Sequence, residues 1–225
     1  MSDTTSSLTG ISCLPISAPT ADGKFNIGAG FLIKKAQRLW LITAAHVPTN
    51  SQPVSDWANW PENIYVWVTP STCEVLPLFI VEGSIRKPNF LSISSSGNRI
   101  HDFMALPIMP SDAHEREGLL SQFHVVRNRP LGDPVKGTLV VGFGFPFVSE
   151  KWPSAEPHRF DGRFLYRGGM VSRIRAEVKK GHSGGPVFTE RGVFLGMTIG
   201  SDVSPGGDEQ VALAPGEWIW DQLPS

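Results

Sequence analysis

The sequence predicts an all-β protein, and three observations carry that reading. Short apolar or alternating runs recur along the chain, each bounded by turn-forming residues. Nineteen prolines and 23 glycines suit many short strands joined by turns, at a level below that of disordered chains. With 40% hydrophobic and 18% charged residues, a chain of 225 can bury a sizeable core, and an all-β chain of that length commonly counts as one unit.

Taken in order, residues 1–10 are polar and predict a frayed end. Residues 25–33 read as a strand whose glycines admit a bulge or a second backbone, 34–38 as a turn, and 39–46 as the returning strand of a hairpin. Residues 48–63 form a loop with Trp57 and Trp60 packed beneath it, shielding strand edges. Residues 64–68, 75–81 and 103–108 complete the strands of a first half, with a small polar loop at 92–98. Residues 109–122 hold a helix-compatible charged patch at 112–117 and make the crossing between halves. Six runs, 124–126, 137–143, 164–174, 186–188, 193–199 and 210–213, read as strands of a second half. A long loop rich in proline and aromatics spans 145–162. Residues 215–223 fit a short helix with Pro215 near its first turn and Trp218, Ile219 and Leu223 on its packed side.

One stretch carries the chemistry: Lys180-Gly181-His182-Ser183-Gly184-Gly185-Pro186. It reads as a serine nucleophile in a tight turn, with Gly181, Gly184 and Gly185 allowing conformations that a Cβ forbids. The Gly181 and Ser183 amides could then face one space and hold an oxyanion. By itself the segment is ambiguous, because it also satisfies the G-x-S-x-G elbow of α/β-hydrolases. That elbow is followed by a helix, with the acid and histidine later in sequence. Here Pro186 opens a strand-like run and no histidine follows His182, so a base must lie upstream. Two upstream segments fit: Thr43-Ala44-Ala45-His46 closing an apolar strand, and Asp102-Phe103-Met104-Ala105-Leu106 entering one.

With these three segments in the order His, Asp, Ser, the chain resembles the trypsin-like serine peptidases, nearest to bacterial and HtrA-like peptidase domains without the PDZ module. The resemblance covers most of the chain and implies one peptidase domain over residues 1–225, built of two antiparallel six-stranded β-barrels. The first would span about 11–110, the second about 121–214, and a terminal helix about 215–223. It implies a serine endopeptidase acting through an acyl-enzyme, with His46 as base, Asp102 orienting it and Ser183 as nucleophile. The Gly181 and Ser183 amides would form the oxyanion hole. Glu177, six residues before the nucleophile, would lie at the bottom of the specificity pocket. There it would either attract a basic side chain or, being longer than the usual aspartate, fold away to pair with Lys179, Lys180 or Arg175. Thr198, Ile199 and Gly200 would form the far wall and pair with an extended substrate backbone. The tryptophans of the 48–63 loop could instead border the cleft. His182 departs from the aspartate of the animal digestive members, so activation by proteolytic processing is not expected. His101 neighbours Asp102 and faces the other way; His114, His124 and His158 are expected to be surface or structural residues.

The expected partners are a protein or peptide substrate, with a regulatory protein partner left open; a silent, partner-activated peptide-binding module is the alternative function. A net charge of −1 and a pI near 6.6 exclude an electrostatic case for nucleic acid or an anionic membrane. Cys13 and Cys73 are too few for a disulfide framework, have no CxxC spacing and are expected to be free thiols; no metal or organic cofactor is expected. No secretory signal is read at the N-terminus, which places the chain in the cytoplasm.

Overall fold

A computed structural model describes residues 13–49, 59–69, 71–94, 100–108, 125–146, 157–203 and 209–225. In the N-terminal half, β1 (Leu14–Pro19), β2 (Phe25–Lys35) and β3 (Arg38–Thr43) precede a single helical turn, α1 (His46–Thr49). Then come β4 (Asn63–Thr69), β5 (Thr72–Pro77), β6 (Phe79–Glu82), β7 (Ile85–Pro88), β8 (Leu91–Ser94) and β9 (Ile100–Ile108). β10 (Val125–Val126) leads into the C-terminal half: β11 (Leu139–Gly144), β12 (His158–Gly168), β13 (Val171–Ala176), β14 (Pro186–Thr189), β15 (Phe194–Val203) and β16 (Glu209–Pro215). A terminal helix, α2 (Gly216–Gln222), closes the chain, with Pro215 as its N-cap residue.

The C-terminal half is a closed antiparallel barrel of six strands in the order β11-β12-β13-β16-β15-β14. The N-terminal half is a half-barrel, an eight-stranded sheet with seven strands in the order β5-β4-β1-β2-β3-β9-β8 and β10 attached to β2 off this path. β10 runs parallel to β2 at Leu32 and Ile33, just beyond the stretch that β1 covers. β6 and β7 pair only with each other among the described residues. The all-β prediction therefore holds, with one half closed and the other curved around a shared core.

Several boundaries differ from the sequence reading, each for a local reason. β1 went unread because Pro15 and Pro19 lie within it, and proline argues against a strand. The run 75–81 is two strands, since Leu78 breaks away to donate its N–H to the Glu62 carbonyl. Leu91 to Ser94 is strand rather than loop, with Leu91 opposite Ala105. The run 164–174 is a hairpin: the chain reverses at Gly169, whose φ of 61° suits a residue without Cβ. The loop read over 145–162 is shorter on its C-terminal side, because β12 starts at His158. The strand read to end at His46 stops at Thr43, and His46 opens α1. The crossing over 109–122, Trp57, His114 and His124 lie outside the described residues.

One buried cluster runs through both halves, from Leu14, Phe31 and Phe103 to Phe188, Phe194 and Met197. Phe31 of β2 meets Phe194 of β15 at 5.0 Å between ring centroids, and Phe194 meets Phe188 at 5.8 Å. A second cluster fills the closed barrel with Phe160, Phe164, Ile174, Val187 and Leu213. Burial of this apolar surface is the main favourable contribution to folding. Trp60 is buried against Phe90 and Phe79, as the packing reading expected. The terminal helix buries Ile219 and Leu223 and sets Trp218 edge-on against Phe103 at 5.3 Å. Lys35 holds its far end, donating to the carbonyls of Trp220 and Leu223. Both cysteines are free; burial pushes the Cys13 thiol far above its usual range. No helix is long and apolar enough to cross a membrane among the described residues.

Candidate active site

The histidine and the acid come from adjacent strands of the half-barrel. β3 pairs with β9 in a register that sets Thr43 opposite Met104, so the chain leaving β3 passes the start of β9. There α1 begins, and His46 faces Asp102. The His46 Nδ1 lies 2.7 Å from Asp102 Oδ2, and the His46 backbone N–H donates to Asp102 Oδ1 at 2.9 Å. One carboxylate thus grips both the ring and the main chain of the same residue. Both side chains are partly buried, which strengthens the contact relative to bulk water. The Nδ1 contact directs a neutral ring to carry its proton there and leaves Nε2 as the basic nitrogen.

Ser183 comes from the turn between β13 and β14 of the closed barrel. Its carbonyl accepts the Ala29 N–H of β2 at 2.8 Å, which ties the turn across to the half-barrel. Gly184, at φ of 84°, donates its N–H to the Thr198 carbonyl at 2.8 Å. The Thr198 N–H in turn donates to the Gly185 carbonyl at 2.9 Å. A Cβ on Gly184 would lie 2.1 Å from the Ala29 oxygen and 3.0 Å from the Ala44 nitrogen. A Cβ on Gly28 would lie 2.5 Å from Val47 and 2.9 Å from the Ser183 carbonyl oxygen. The Ser183 turn therefore presses against the backbone that leads into His46. Glycine is required at 184 for conformation and contact together.

His46, Asp102 and Ser183, remote in sequence, thus border one junction between the halves. No hydrogen bond joins His46 Nε2 to the Ser183 hydroxyl among the described residues. Gly181 adopts φ of 105°, and its carbonyl accepts the Phe145 N–H at 3.0 Å. The Gly181 and Ser183 N–H groups have no partner among the described residues.

The expected specificity residues fare differently. Glu177 is exposed, not enclosed at a pocket floor. The alternation of β13 explains this: Ile174 and Ala176 point into the barrel, so Arg175 and Glu177 face solvent. Thr198 is buried, and its backbone N–H and carbonyl are both committed to the Ser183 turn rather than open to a substrate. Ile199 lies at a register shift between β15 and β16, and a Cβ on Gly200 would meet nothing within 4 Å. Of the three predicted wall residues, Ile199 and Gly200 are partly exposed, and Gly200 borders open space.

His182 and His158 were not read as partners. His182 is buried, with Nδ1 2.9 Å from both the N and the O of Lys179. Its Nε2 lies 3.1 Å from His158 Nδ1. Burial, the largest influence, lowers the His182 pKa below its ordinary value; His158 and Lys179 add to that, and the Lys179 backbone contact opposes it. Twenty-four residues separate the two histidines, and only the start of β12 at His158 brings them together. Among the described residues no group of three or more His, Cys, Asp or Glu could hold a metal ion.

A family model described as the trypsin-like peptidase domain matches residues 28–197, which hold all three side chains. The chain belongs to the trypsin-like peptidase family. Solved structures similar to this trypsin-like peptidase agree in fold. The Rv3671c protease from M. tuberculosis, in its active form, is 18% identical with a TM-score of 0.57, over 98% of this chain and 82% of that one. The MamO protease domain from Magnetospirillum magneticum is 15% identical with a TM-score of 0.57, over 96% of this chain and 97% of that one. An HtrA-type protease, an AlgW variant with a tripeptide, is 14% identical with a TM-score of 0.57, over 96% of this chain and 60% of that one. No curated protein matches the chain by sequence.

Proposed function

We propose that this trypsin-like peptidase is a serine endopeptidase in which His46, Asp102 and Ser183 act together. The observation that carries the reading is the double contact from Asp102 to the His46 ring and main chain, beside the turn that bears Ser183. In the proposed cycle Ser183 Oγ attacks the scissile carbonyl while His46 Nε2 takes its proton. The imidazolium that forms is stabilised by Asp102, which stays ionised. His46 then returns the proton to the leaving amine, and the acyl-enzyme is hydrolysed by water activated at the same nitrogen. Closure of Nε2 onto the hydroxyl occurs as substrate seats, since such contacts are often long without one. The Gly181 and Ser183 amides, without a partner among the described residues, are available to hold the oxyanion, where losing one donor costs about 2.7–4 kcal/mol of transition-state stabilisation.

Substrate selection follows from the same surfaces. An exposed Glu177 offers a basic side chain only a weak preference, because exposed ion pairs are worth little. Gly200, beside open space, leaves room for an extended peptide backbone.

An activated fluorophosphonate probe tests the mechanism. Labelling is expected in the native protein and absent in Ser183→Ala, with His46→Gln slowed by several orders of magnitude. A folded, inert native protein sinks the proposal and favours a peptide-binding module. Cleavage-site profiling on a denatured proteome then reads specificity; turnover of small esters with no amide cleaved would mark an esterase instead.

A further inference from the structure

His182 immediately precedes Ser183, and its imidazole organises the turn that carries both amides assigned to the oxyanion. The His182 N–H donates to the Lys179 carbonyl at 3.1 Å, and the Gly185 N–H donates to the His182 carbonyl at 2.9 Å. The ring closes the same turn from its other side through Lys179, and it is wedged from behind. Phe160 of β12 meets it edge-on at 5.2 Å, and a Cβ on Gly144 of β11 would lie 2.7 Å from the ring carbon Cδ2. The remaining nitrogen, Nε2, is held by His158. A buried imidazole with both nitrogens engaged can neither rotate nor shift without breaking a contact.

We propose that the His158–His182 imidazole bridge is a positioning device for the Gly181 and Ser183 amides, and that loading both rings with protons releases it. The proposal rests on the serine-peptidase reading for the role of those amides. A single proton between the rings satisfies the bridge in either direction. His182 can donate from Nε2 to His158 while Nδ1 accepts the Lys179 N–H. Alternatively His158 donates from Nδ1 while His182 donates from Nδ1 to the Lys179 carbonyl. One added proton still leaves one donor and one acceptor across the gap, so the second arrangement absorbs it. A further proton sets N–H against N–H across the 3.1 Å gap, and the bridge fails.

Among the described residues, the titratable and charged groups that face the ring are His158 from β12 and Lys179 from its own turn; β11 brings Gly144 and no charge. Arg159, next to His158, is committed to Asp161. No carboxylate among the described residues touches either imidazole. The lowered pKa of His182 keeps the ring neutral at neutral pH. Because the unfolded chain takes up that proton first, the stability held by the neutral ring is present above about pH 6.5 and declines as pH falls below it.

The test compares native protein with His182→Asn, His182→Ala and His158→Gln. Asparagine can still accept the Lys179 N–H without titrating. In His182→Ala, kcat is expected to fall about ten- to a hundredfold with KM within about twofold, since the amides act in the transition state. His182→Asn is expected to recover most of that loss. Both His182→Asn and His158→Gln should lose less activity than native protein between about pH 8 and pH 5, the rest of the site being common to all forms. Amide spectra over the same range give a readout that needs no turnover. The Gly181 and Ser183 resonances should move with His182 in native protein and lose that movement in His158→Gln. Resonances that ignore His182, or acid limbs that coincide in all forms, overturn the bridge. A native protein that never labels or hydrolyses sinks the peptidase reading instead, and the spectra still decide the bridge.

Discussion

The two halves hold their parts of the site by different means. Ser183 sits on a turn laced to a closed barrel, with Gly184 and Gly185 bonded to Thr198 of β15. Asp102 belongs to an open sheet and His46 to the helical turn that leaves it, where the acid secures the histidine through its backbone as well as its ring. In the closed half the frame positions the residue; in the open half the two residues position each other. Mutations should therefore separate cleanly. Those that break the acid–histidine pair should disturb local structure and chemistry together, whereas the Ser183 turn should yield to changes in its glycines and in the His158–His182 contact that braces it.

The largest effect is expected at Asp102. Asp102→Asn keeps an acceptor for the His46 N–H but presents the wrong partner to Nδ1, so kcat should fall by roughly 10⁴ with the fold intact. Asp102→Ala also strips the backbone contact, and hydrogen exchange at His46 and Val47 should rise in alanine but not in asparagine. Equal exchange in both would mean that the carboxylate acts on the ring alone. Next comes the joint between halves: Phe31→Ala removes the ring facing Phe194 and should cost about 3–5 kcal/mol in urea unfolding. Loss of protection confined to the half-barrel would show that the two cores are less continuous than their packing.

Gly184→Ala should cost about 2–4 kcal/mol, from a positive φ and a Cβ driven onto the Ala29 carbonyl. Gly200→Ala, with open space around its Cβ, should change stability by no more than about 0.5 kcal/mol. Glu177→Gln should alter the preference for lysine over leucine substrates by less than about fivefold. Smallest of all is Arg129→Ala. Arg129 bridges Asp221 and Glu217 of α2 in an exposed cluster, and its loss should move the melting temperature by about a degree or two at most.

How much was legible follows from how each feature is encoded. The acid, the histidine and the serine turn each announce themselves through short segments whose chemistry needs those residues, so chain order sufficed to nominate them. The β-rich architecture was legible from turn residues and short runs, because period-two patterning is local. β1 was not, because its two prolines argue against a strand, and the neighbours that hold it in register, β2 and β4, are set only by the fold. Glu177 was misplaced since counting back from Ser183 ignores which face of β13 the chain leaves by. The His158–His182 contact was illegible in principle: no local pattern links residues joined by the pairing of β11 with β12.

The terminal helix has a consequence in time. Phe103, next to Asp102, rests on Trp218, and Lys35 is engaged by carbonyls at the far end of the same helix. Both of those partners are translated after every strand of either half. A nascent chain can shape its first sheet early, yet the strand bearing the acid lacks its last support until the helix leaves the ribosome. On the serine-peptidase proposal, hydrolytic competence therefore waits until α2 has emerged and docked.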